Sequence, residues 1–224
     1  MAGQMVTFAS NGGTADGYLA LPKSGAGPGV VVIQEYWGLV PHIKDLADRF
    51  AAEGFVALAP DLYHGDAATH PDEAARMMMA LNMAQTEKDL RGAVALLKSR
   101  TGGRKLGVIG FCMGGSLALV AATKNPDVAA CVTCYGPHRG GVPDYSKLNG
   151  PVLGIWGGKD AHIPMAAINE IEGAVKAAGR SAEMKVYPDA GHAFINDSRP
   201  TVYHKASAED AWNKAVGFLK THLA

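Results

Sequence analysis

The stretch Leu106-Gly-Val-Ile109-Gly110-Phe-Cys112-Met113-Gly114-Gly115 decides how the rest of the chain is read. Its first four residues make a short apolar strand. Its second half spaces glycines around one cysteine and leads into an apolar segment, Gly115 to Ala122, that reads as a helix. A strand–turn–helix junction with G-x-nucleophile-x-G spacing is a nucleophile elbow, here with Cys where Ser is commoner. The glycines answer to crowding. A nucleophile held in a strained conformation at a sharp turn leaves no room for side chains two positions before or after it. The turn also sets the sulfur at a helix N-terminus, where the backbone dipole favours thiolate. On this pattern alone, the competing reading is a buried cysteine beside tightly packed glycines.

Working outward, strands and helices alternate. Val30-Val-Val-Ile33 is a β-branched run suited to a strand covered on both faces. Gly17 to Leu21, Phe55 to Ala59, Ala130 to Tyr135, Val152 to Trp156 and Met184 to Tyr187 read as further strands. Between them, His42 to Glu53 presents Ile43, Leu46, Ala47 and Phe50 on one face and stops at Gly54. Thr86-Glu-Lys-Asp89 has a capping-box-like spacing, opening a helix to about Ser99. Pro164 stands where a first helical residue is expected, Gly179 ends that helix, and Ser207 opens a closing amphipathic helix. This alternation predicts an α/β fold over residues 1–224 as one domain, with a mostly parallel central sheet and helices on both faces. In such sheets functional groups lie just past the carboxyl ends of the strands.

Two loops there carry the partners that a nucleophile needs. The strand Val152 to Trp156 runs into Gly157-Gly-Lys-Asp160, and the last strand into Asp189-Ala-Gly191-His192. The order nucleophile, acid, histidine is the one expected for an elbow of this type. His192 then acts as base toward Cys112, and Asp160 fixes its tautomer and stabilises its charged form. Asp189 competes for the acid role but better suits shaping the histidine loop. His162 shares a loop with the proposed acid, which argues against it as the base. Cys131-Val-Thr-Cys134 is a C-x-x-C, yet on a strand residues three apart point to opposite faces about 10 Å apart, too far for a disulfide. Both are expected to be packing residues. The Met-rich segment Arg76 to Met83 reads as adaptable core or pocket lining.

The segments Gln34-Glu35-Tyr-Trp-Gly38, Ala59-Pro-Asp-Leu-Tyr63, Gly110 to Gly115, Gly157 to Asp160 and Ala190-Gly-His-Ala-Phe194 together resemble the dienelactone hydrolase (carboxymethylenebutenolidase) family of the α/β-hydrolases. The resemblance covers nearly the whole chain. It implies a cysteine-dependent hydrolase of lactones or small esters, with enol-lactone ring opening as the family reaction. It implies that Glu35 lies near Cys112 and helps control its protonation, and that the thiol rests neutral until substrate binds. A neighbouring carboxylate raises a thiol's pKa, which is compatible. The oxyanion hole is expected from the backbone N–H groups of Met113 and Tyr36, carried by the resemblance and the fold. One departure stands out. Family members hold a substrate carboxylate with arginines, one of them four residues after the histidine, and Asn196 occupies that position here. Arg76, Arg199, Asn196 and the pocket-lining Trp37 are the candidate substrate-binding residues.

Composition narrows the function classes. Lys+Arg and Asp+Glu are 21 each, so there is no electrostatic footprint for nucleic acid or an anionic membrane. The longest apolar stretch is broken by Gly107, Gly110, Gly114 and Gly115, unlike a membrane span. Three cysteines in 224 residues are no disulfide framework. Met1 to Ser10 has no secretory n-region or h-region, so free thiols point to the cytoplasm. No metal or organic cofactor is expected. The expected partner is a small-molecule lactone or ester, with no nucleic acid and no membrane, and the expected state is a monomer or small homo-oligomer. A thiolate is a good leaving group, which favours esters, enol-lactones and thioesters over amides. The alternatives are a general carboxylesterase or thioesterase and a non-hydrolytic thiol sensor. A binder has no need of the oriented base that Asp160 and His192 would form.

Overall fold

Two strands lie side by side at the centre: β3 (Gly29–Ile33) and β5 (Leu106–Phe111), parallel, with Ile33 opposite Gly110. A computed structural model describes them together with the rest of residues 3–138 and 141–224. Every residue of both strands is buried, as their apolar runs require when helices cover both faces. The remaining strands are β1 (Gln4–Ser10), β2 (Gly13–Ala20), β4 (Val56–Pro60), β6 (Val128–Cys134), β7 (Val152–Gly157) and β8 (Ala182–Tyr187). They form one eight-stranded sheet in the order β1-β2-β4-β3-β5-β6-β7-β8. From β4 to β8 the sheet is parallel, and only β1 and β2 run antiparallel to their neighbours.

The helices are α1 (Pro41–Ala52), α2 (Pro71–Ala80), α3 (Met83–Arg100), α4 (Met113–Lys124), α5 (Met165–Ala177) and α6 (Lys205–Leu223). Their apolar faces match the periodicity of the sequence. In α1, for instance, Ile43, Leu46, Ala47 and Phe50 are all buried, and Phe50 packs on Trp212 of α6 with ring centroids 4.5 Å apart.

Three local readings need correction. First, β1 pairs with β2 through the two-residue turn Asn11-Gly12, both at positive φ (36° and 95°). Asn-Gly is the dipeptide such a hairpin turn favours. Only β2 was expected, because along β1 just Phe8 and Ser10 are buried and the apolar signal is thin. Second, α3 starts at Met83, capped by the Asn82 side chain, which accepts from Gln85 N–H at 3.1 Å. Thr86 instead sits a turn inside, its hydroxyl donating to the Asn82 carbonyl. Third, Pro164 precedes α5 as its N-cap rather than being its first residue.

Register does the positioning. Phe111 pairs with Cys134, Cys134 with Ile155, and Gly157 with Tyr187. The loops leaving β3, β5, β6, β7 and β8 therefore open at one sheet edge, and the chain resumes there at Gln34, Cys112, Tyr135, Gly158 and Pro188.

Candidate active site

Cys112 stands between β5 and α4 at φ 54° and ψ −117°, a conformation L-residues rarely adopt. Its N–H donates to the Cys134 carbonyl at 3.0 Å, and Gly115 N–H donates back to the Cys112 carbonyl at 2.9 Å. The glycine spacing is a steric necessity here. A Cβ on Gly110 would lie 1.9 Å from the Gly114 carbonyl oxygen, and one on Gly114 would lie 2.4 Å from that of Ile33. Met113 is the first residue of α4, so its N–H has no acceptor within the helix.

His192 Nδ1 and Asp160 Oδ2 are 2.7 Å apart. The Asp160 side chain is 1% exposed, and its other oxygen accepts from the His162 N–H at 2.8 Å. Burial pushes Asp160 up, but the hydrogen bonds from His192 and His162 outweigh it and leave the carboxyl below its ordinary range. For His192, burial favours the neutral ring, yet the Asp160 hydrogen bond and the Cys112 sulfur prevail and push it up to about 10. The imidazole is thus oriented by the carboxylate, with its charged form stabilised. Asp189 pairs with Lys159 at 3.0 Å on the surface. His162 sets its ring edge-on to His192, with centroids 5.6 Å apart.

Glu35 is 1% exposed, just past β3. Its Oε2 accepts from Asn196 Nδ2 at 2.7 Å, while Oε1 is buried without a partner. Burial raises the Glu35 pKa, against opposing influences from the Asn196 hydrogen bond and the Arg199 and His192 charges. Next to it, Tyr63 hydroxyl lies 3.1 Å from the Tyr36 carbonyl and 3.4 Å from Met113 Sδ. One side chain thereby ties together the two residues expected to form the oxyanion hole. Trp37 packs edge-on against Tyr36, and the Arg199 guanidinium lies over the Trp37 ring at 5.2 Å.

Glu35, Tyr36, Trp37, Cys112, Met113, His192 and Arg199 line one cavity of about 400 Å³, whose wall is largely apolar through Met78, Pro137 and Ile163. Two expected substrate contacts fall elsewhere. Arg76 is exposed on α2 and does not line the cavity, although Met78 of the same helix does. Asn196 is 2% exposed and commits both ends of its amide inside the protein: Nδ2 to Glu35, and Oδ1 to the N–H and hydroxyl of Ser198. It does not face substrate because the loop after His192 turns it inward.

The sequence reading also passed over Tyr135, which lines the cavity from the end of β6. It holds φ 41°, is fully buried, and sets its ring 5.2 Å from that of His192. Its position after a strand at the catalytic edge was the available signal. Cys131 and Cys134 are free and buried, as expected. Among the described residues, no group of three or more His, Cys, Asp or Glu side chains is arranged to hold a metal ion. Among them, too, no helix is long and apolar enough to cross a membrane.

An elbow, a carboxylate–imidazole pair and a parallel sheet that brings them to one edge define a hydrolase of the α/β-hydrolase fold. The chain belongs to the dienelactone hydrolase family, whose model matches residues 15–223. Protein usf of Aquifex pyrophilus is 40% identical over 99% of both chains. A protein of Aquifex aeolicus named "Putative carboxymethylenebutenolidase" is 37% identical, also over 99% of each. Among solved structures, one from Klebsiella pneumoniae named "Putative Dienelactone Hydrolase" superimposes with a TM-score of 0.87 at 34% identity, covering 98% of this chain and 99% of that one. The protein is a dienelactone hydrolase-like enzyme acting on ester or lactone bonds.

Proposed function

We propose that the enzyme hydrolyses small lactones or esters through a Cys112–His192–Asp160 triad and a thioester intermediate. The observation that carries this reading is the 2.7 Å bond from the buried Asp160 carboxylate to His192, whose ring lines the same cavity as Cys112. The Cys112 thiolate attacks the substrate carbonyl carbon. The resulting oxyanion takes hydrogen bonds from the Met113 and Tyr36 N–H groups. Collapse expels the alkoxide, which takes a proton from the His192 imidazolium and leaves an acyl group on sulfur. His192 then draws a proton from water, the hydroxide adds to the thioester carbonyl, and thiolate departs as the acid is released. In a lactone, alkoxide and acid are one molecule, so ring opening needs no separate exit of a first product.

On substrate, Arg199 is the one arginine lining the cavity among the described residues. It is the residue to hold a substrate carboxylate, over a wall of Trp37, Met78 and Ile163 that suits an apolar or unsaturated ring. With Asn196 and Arg76 elsewhere, neutral esters and lactones stand as the second reading. Incubation with p-nitrophenyl acetate tests the mechanism: a burst of nitrophenol and an acetyl adduct on Cys112 by mass spectrometry are expected. Turnover without such an adduct under rapid quench, or undiminished turnover in Cys112→Ala, rejects it. A panel of cis- and trans-dienelactone, neutral lactones and aryl esters, run on the enzyme and on Arg199→Met, separates the two substrate readings.

A further inference from the structure

We propose that Asn196 is a positioning residue for the reaction: its amide holds the Glu35 carboxyl group in the buried wall of the cavity and so governs how readily Cys112 yields its proton. This rests on the proposed function, with Cys112 as nucleophile, and on the expected influence of Glu35, which lines the same cavity, on the Cys112 thiol.

The contact is built to hold one geometry. The Ser198 N–H donates to Asn196 Oδ1 at 3.1 Å, with the Ser198 hydroxyl on the same oxygen at 2.6 Å. That arrangement leaves the NH2 end of the amide to face Glu35, so the donor is fixed by the backbone and not by rotation of the side chain. The neighbouring Asp197 anchors the loop to α1 by an ion pair with Arg49. Asn196 Nδ2 then reaches Glu35 Oε2 at 2.7 Å in a buried setting.

The partner's chemistry matters as much as its place. An amide carries no charge. It stabilises a buried carboxylate by one hydrogen bond and leaves most of the cost of burying charge uncompensated. Among the described residues, Glu35 Oε1 has no hydrogen-bond partner. The ionisable groups near Glu35 are Tyr36 on its own loop, Cys112 on the elbow, Cys134 and Tyr135 at the end of β6, and His192 and Arg199 on the last loop. Of these, His192 and Arg199 favour ionised Glu35. Burial opposes it and is the largest influence. Burial therefore leaves the Glu35 pKa raised, and the Asn196 hydrogen bond is the largest of the influences that lower it. An ionised Glu35 opposes thiolate at Cys112 by like charge, and a neutral one does not.

The test is the pH dependence of Cys112 alkylation by iodoacetamide, followed with kcat and KM for p-nitrophenyl acetate. Cys131 and Cys134 are buried, so the reaction reports Cys112. The rate profile of the wild-type enzyme is expected to contain an inflection that Glu35→Gln lacks. Asn196→Ala, which removes a hydrogen bond to a charged group, should move that inflection upward by about one pH unit. Asn196→Asp keeps the shape, guards against a failure of the alanine variant to fold, and should move it further, since two carboxyls in contact share a proton. In both variants Glu35 stays neutral between the old inflection and the new one, so Cys112 alkylation there should be faster than in wild type, and the kcat profile should shift with it while KM changes by less than about threefold. An unmoved inflection in both Asn196 variants, with Glu35→Gln still lacking it, overturns the role of Asn196 alone. A Glu35→Gln profile identical to wild type overturns the Glu35 role and this inference with it.

Discussion

Two of the three cysteines lie in the parallel part of the sheet, and the third stands just past it, in a different setting. Cys131 and Cys134 lie along β6, where burial pushes both thiols far above the ordinary range. Cys112 lies one strand away, past the end of β5, half-buried and beside His192. Residue type is the same and separation is small. What differs is the backbone: β6 keeps its thiols within extended chain, whereas the turn at φ 54° lifts Cys112 to the cavity and onto the first turn of α4. If Cys112 is the nucleophile as proposed, its reactivity is a property of the turn.

The sharpest way to break that contrast is Cys112→Ala. Ester turnover should fall about 10⁴-fold or more with little change in melting temperature. Activity above a few per cent would hand the role to another group. Next, Asp160→Asn should lower kcat by about 10²–10⁴-fold by removing the carboxylate that orients and stabilises His192. It should also change the pH dependence of stability. His192 is raised to about 10, so its contribution is complete below its unfolded value near 6.5 and is lost as pH rises through 10. Wild-type melting temperature should therefore decline across that window more than that of Asp160→Asn. Parallel declines in thermal melts would disconnect the pair.

Smaller effects sharpen the comparison. Gly114→Ala forces a Cβ to 2.4 Å from the Ile33 carbonyl oxygen and 2.5 Å from that of Gln34. It should cost about 1–3 kcal/mol in chemical denaturation and disturb the Glu35 loop. At the quiet end of the scale, Cys131→Ala should cost about 1–2 kcal/mol and leave turnover within about twofold. A large loss of turnover with normal stability would show that β6 thiols take part in the chemistry.

Much of the site could be read from residues alone. Cys112 and Asp160 follow buried strands and His192 follows the outermost parallel strand, β8, and parallel strands must deliver such loops to one edge. Glu35 was legible for the same reason, as the second residue after Ile33. The inward direction of the Asn196 side chain was not. Its position relative to His192 suggested a substrate contact, but whether a loop side chain faces the cavity or the protein depends on how residues 196–199 turn. Arg76 was misplaced because no motif anchors the segment after Tyr63. Tyr63 itself, joining Tyr36 to Met113, and Tyr135 on His192 are contacts between residues distant in the chain, with no local pattern to announce them.

From its order of residues, then, the chain already determined an alternating fold, a strained elbow at Cys112 and the loops that meet it, because apolar periodicity and glycine spacing express backbone preferences that act locally. Only the tertiary structure decided which polar groups pair inside the cavity. Ile33 beside Gly110 and Phe111 beside Cys134 are matters of strand register, and register between distant segments follows from packing of the whole sheet.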